Sequence, residues 1–116
     1  MKFNQAATYP DVRILEYSGL DTSTPFDVGM AGTGNGTAAS SGAANTTSAS
    51  ELIFGAGSST GTAYTAPGSG FTMRIVNNFG NMAEDKVVSS TGSYAATATN
   101  SGGNWIMQMA TFKAAL

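Results

Sequence analysis

An all-β fold, an antiparallel β-sandwich of jelly-roll or immunoglobulin-like form with seven to eight strands, is what this 116-residue sequence predicts. Three observations carry the prediction. Apolar residues come in short clusters bounded by Gly, Asn, Ser or Pro, not at helical spacing. Several clusters alternate apolar with other side chains, the period of a strand with one buried face. The clusters recur along the whole length without helical patterns between them, which favours a sandwich over an α/β unit.

Taken in order, Pro10-Asp11 is a turn signal and residues 12–18 (VRILEYS) are rich in strand formers. Both alternating sets, Val12, Ile14, Glu16 and Arg13, Leu15, Tyr17, carry apolar residues, so a central strand covered on each side is expected. Residues 19–25 read as a loop. Phe26, Val28 and Met30 alternate with Asp27 and Gly29, a short half-buried strand. Residues 31–50 hold no large apolar side chain and read as an exposed strand with a loop, or as a surface excursion. A buried strand is expected over 51–57 (ELIFGAG) and a loop over 58–70. Phe71, Met73 and Ile75 alternate with Thr72, Arg74 and Val76, a turn follows at 77–81, and the hairpin continues through 82–89. Residues 92–99 alternate weakly, 100–103 turn the chain, and Asn104–Lys113 makes the longest, closing strand.

Composition sets the limits on function. More than half of the chain is Ala, Gly, Thr or Ser, so a single domain, 1–116, with a modest core is expected. Large aliphatic residues and Phe are scarce enough to suggest disorder, but the net charge of −2 does not enforce it. With 10% charged residues there is no basic surface to neutralise phosphates, so no nucleic-acid partner is expected. No stretch approaches the roughly 20 apolar residues of a membrane helix, so no membrane insertion is expected, and no signal peptide is visible. The low Lys and Glu with high Ser, Thr, Gly and Asn resembles exported bacterial surface proteins, which places the expected location outside the cell or at its surface.

Tyr9-Pro10-Asp11-Val12-Arg13-Ile14 with Glu16 through Asp21, residues 51–57, the Ala83 to Ser89 segment with Gly92-Ser93-Tyr94, and Trp105 through Lys113 together resemble a family of bacterial exported domains, many of them uncharacterised. The resemblance spans nearly the whole chain. It implies a β-sandwich from large surface or secreted proteins, found beside immunoglobulin-like modules and in phage-tail-like contexts, and it carries no catalytic or ligand residues across. The family's domains continue upstream through further strands, and Phe3-Asn4-Gln5 looks like the end of one, so the resemblance implies that 1–116 is the C-terminal part of a larger domain. Uncovered strand faces and edges would then need a second copy, a partner chain or the upstream segment. The other reading is that these strands suffice for a compact monomer.

The search for chemistry returns little. With no His and no Cys, the usual nucleophile–base pairs and most zinc and copper sites are excluded, and neither a catalytic nor a metal-ligating set is expected. No cofactor is expected. Adjacent Glu84 and Asp85 face opposite ways in a strand and read as solvated charges answering Lys86 or Arg74. Asp21 lacks the multi-oxygen spacing of a calcium loop. The Gly32-Thr33-Gly34-Asn35-Gly36 run lacks the Lys and helix of a phosphate loop. Aromatic rings are the one candidate recognition element: Tyr64 and Phe79 in expected loops and Trp105 at the start of the last strand could stack on a sugar. The leading expectation is a non-catalytic structural or adhesive module of an exported or phage-associated protein, self-associating through β edges or faces or packing on a neighbouring domain. A carbohydrate-binding module using those aromatics is the alternative, and a carboxylate-based glycosidase the last.

Overall fold

The segments with the clearest strand pattern lie at the centre of one sheet. The computed structural model describes residues 2–116 and holds ten strands, with no helix among the described residues. In chain order they are β1 (Phe26–Asn35), β2 (Ala38–Ser40), β3 (Ala44–Asn45), β4 (Glu51–Ser59), β5 (Tyr64–Pro67), β6 (Thr72–Val76), β7 (Met82–Val88), β8 (Ser93–Tyr94), β9 (Thr97–Asn100) and β10 (Asn104–Lys113). The large sheet runs β1-β10-β4-β7-β6, a smaller one β2-β9-β5, and β3 pairs with β8; every pairing is antiparallel.

Register decides which side chains meet. Gly32, Met107, Gly57 and Met82 form one row across four strands, and Met30, Met109, Gly55 and Glu84 the next on the same face. That inner face packs against the small sheet. Ile53, Met82 and Met107 are fully buried with Ala39, Tyr64, Phe71, Ala96 and Ala98. Two strand glycines let the layers approach: a Cβ on Gly55 would lie 2.9 Å from Ala96 Cβ, and one on Gly57 2.5 Å from the Tyr64 ring. The interlayer space is filled by alanine on one side and glycine on the other, so a chain poor in large aliphatics still closes a core.

The structure corrects several boundaries. Ten strands replace the expected seven to eight because β2, β3, β5 and β8 are short pieces within stretches of small residues. β5 interrupts the loop expected over 58–70, and β1 continues five residues past Met30 into the glycine run. The largest correction concerns residues 12–18, which form no ladder. Their side chains nevertheless alternate as in a strand, with Arg13, Leu15 and Tyr17 half-buried and Val12, Ile14 and Glu16 exposed. The backbone is extended and one face is seated, but no neighbouring strand completes it.

Candidate functional site

The expected aromatic site does not assemble as one surface. Tyr64 belongs to β5, is 2% exposed, and donates its phenol to the Ile106 carbonyl at 2.9 Å. Burial, reinforced by the Glu84 charge, raises its pKa to about 12. Its ring is core and cannot stack on a ligand. The sequence signal for this was Gly57, a strand glycine that marks a close approach from across the sandwich. Phe79 sits at the tip of the β6–β7 turn, 63% exposed, where Asn77 Oδ1 accepts its amide at 3.0 Å. The Trp105 indole lies on Gly34, whose Cβ would sit 2.4 Å from the ring, and its buried Nε1 has no partner. Trp105 and Phe79 line separate clefts, the former with Thr33, Asn35, Ser58, Thr60 and Asn104 around about 550 Å³.

The carboxylates also depart from expectation. Glu84 and Asp85 do face opposite ways, but both are buried. Glu84 points into the sandwich, where its Oε2 accepts the Gly68 amide at 3.0 Å and its Oε1 has no partner. Burial pushes its pKa up to about 7, against the Gly68 bond and the Lys86 charge. Lys86 is occupied elsewhere, its ammonium 4.6 Å from the Phe71 ring centre and 5.5 Å from that of Tyr94. Asp85 does answer Arg74, through bonds of 2.8 and 2.9 Å, and also accepts the Tyr17 hydroxyl at 2.7 Å. The Arg74 bonds hold its carboxyl below the ordinary range. Asp21 accepts the amides of Ser23 and Thr24, a local turn, and among the described residues no three acidic groups gather to hold a metal.

Asp27 and Glu51 form a third carboxyl feature. Burial raises the Glu51 pKa, while the hydroxyl and amide of Thr47 bring Asp27 down against its own desolvation. Glu51 Oε1 accepts the Ser48 amide at 3.1 Å, and its buried Oε2 has no conventional donor.

The feature that stands out is the outer face of the large sheet. It carries Leu52 and Phe54 of β4, Ile106, Ala110 and Phe112 of β10, and Ala83 and Val87 of β7. The arm of residues 11–18 lies over its β4–β7 half and is held by side chains. Asp11 accepts the amides of Asn77 and Asn81 at 2.8 and 2.9 Å, and Arg13 donates to the Met82 carbonyl at 2.9 Å. Tyr17 bonds Asp85 and meets Phe54 edge-on, with centroids 6.4 Å apart. Beside the arm, Ile14, Leu15, Leu20, Phe54 and Phe112 border an apolar groove of about 470 Å³. Beyond it Ile106 and Phe26 are about half-exposed.

No family model matches the chain, and no curated protein or solved structure matches it. The site must be read from its own chemistry. No helix among the described residues is long and apolar enough to cross a membrane.

Proposed function

We propose that this chain is a non-catalytic structural module of an exported bacterial or phage-associated surface protein, and that it works by associating with further copies of itself through its outer sheet face. One observation carries the reading: an extended, strand-like arm lies on that face with its backbone unladdered and an apolar groove open beside it. Unpaired strand backbone next to exposed apolar surface is a template for another chain. Two of the sheet edges are poorer templates, since β6 is bulged and carries Arg74, and β5 ends in Pro67. Light scattering over a dilution series tests the reading. A dimer or larger assembly that dissociates on dilution supports it, and a monomer at every concentration overturns it.

Carbohydrate binding remains as a second reading, favoured by the cleft that Trp105 and Ile106 line together with Thr33, Ser58, Thr60 and two asparagines. Binding of a glycan panel that is lost in Asn104→Ala would support it.

A further inference from the structure

We infer that the arm of residues 2–18 is exchangeable between copies, each copy seating its arm on the outer face of the other. This deepens the self-association reading and rests on it, naming the segment that crosses and the surface that receives it.

The arm is attached in a way that a second copy can reproduce. Among the described residues, no backbone hydrogen bond ties residues 2–18 to the rest of the chain. Backbone bonds begin where Ala115 donates to Gly19 and Asp21 to Lys113, with a bridge between Leu20 and Ala114. Upstream of Gly19 the attachment is complementary side-chain chemistry: an acid on two amides, a guanidinium on a carbonyl, a phenol on a carboxylate. An arm from a second copy meets the same partners with the same charges, which makes exchange of an identical element a low-cost route to a dimer.

Gly19 can serve as the hinge. Gly19 adopts φ +78° with nothing within 4 Å of where a Cβ would be, and there the chain folds back over its own sheet. Glycine crosses from that conformation to an extended one without steric cost, so the arm can swing outward while Leu20 and Asp21 stay anchored.

Exchange covers apolar surface. On its own body the arm leaves apolar side chains in water: Tyr9 is 84% exposed, Ile14 76% and Val12 42%. Exchange brings two outer faces together, so that Val12 and Ile14 and the uncovered Ile106 and Phe26 are screened by the other copy.

The chain has no cysteine, so single thiols report the contact cleanly. Tyr17→Cys in one preparation and Phe54→Cys in another are mixed, unfolded, refolded together at a concentration where the wild type associates, and oxidised. Exchange predicts a covalent dimer linked from position 17 to position 54, identified by peptide mapping and formed in the mixture alone. A second pair, Asp11→Cys with Asn81→Cys, repeats the test at the other anchored end should the first pair fail to fold. If the wild type associates and both mixtures give no cross-linked 17–54 or 11–81 dimer, exchange is overturned while self-association stands. If the wild type is a monomer at every concentration, both fall.

Discussion

Replacing Glu84 with glutamine removes a titration from the interior of the sandwich, and the size of the effect follows from the surroundings of the carboxyl. Glu84 is 0% exposed, keeps one bond from the Gly68 amide, and has a second oxygen with no partner. Its pKa rises from the ordinary 4.5 to about 7 because burial disfavours the charged form. The folded state therefore holds this proton more tightly than the unfolded chain does. The associated stability is fully present below pH 4.5, declines as the pH rises, and is lost once pH 7 is passed. At about 1.4 kcal/mol per pKa unit the loss is about 3 kcal/mol. Glu84→Gln accepts the Gly68 bond without charge, so the contribution from this position does not change across that window. Urea unfolding of both proteins from pH 4 to 8, followed by the fluorescence of the sole tryptophan, reads the difference. The two midpoints are expected to coincide near pH 4, with the variant more stable by about 2–3 kcal/mol near pH 8. The difference isolates Glu84 from Glu51, whose raised pKa tilts both curves alike. Parallel curves would refute the reasoning, since they would mean that Glu84 does not change charge within the core.

Two further outcomes follow from the packing. Gly57→Ala sets a Cβ 2.5 Å from the buried Tyr64 ring, and the overpacking is expected to cost about 1–3 kcal/mol in urea unfolding. Tyr17→Phe removes the bond to Asp85, worth about 1.5 kcal/mol at the low end for a charged acceptor. Trypsin cleavage after Arg13 in dilute protein is then expected to rise roughly tenfold, with cleavage at Lys86 unchanged.

The large sheet was legible because its strands follow the period of two with side chains large enough to register. Asn104–Lys113 is recovered to the residue, with Met107 and Met109 inward and Ile106 and Gln108 outward. The small sheet was not, because its inward residues at Ala39 and Ala98 are alanines, too small to register as a buried face in the sequence. Tyr64 has the same difficulty: flanked by turn residues it resembles a loop aromatic, and its burial depends on distant residues, Gly57 among them. Over residues 12–18 apolar residues in both alternating sets suggested a strand covered on each side, whereas only Arg13, Leu15 and Tyr17 are seated; cover and a ladder both require a neighbour, and neither is a property of the segment itself. The buried state of Glu84 was hidden because nothing local distinguishes it from Asp85 beside it; the face each takes is fixed by register with Gly55 and Phe54.

Hydrogen exchange at the backbone amides of residues 12–18, measured at high and low protein concentration, tests the central claim most directly. An arm whose free backbone edge, seated on either copy, pairs with a strand of the associating copy predicts amides that are protected when the protein is concentrated and exchange rapidly when it is dilute, while those of β4 and β10 stay protected throughout. Rapid exchange of residues 12–18 at every concentration would contradict the account, because the extended arm would then have no strand to pair with in any state of association.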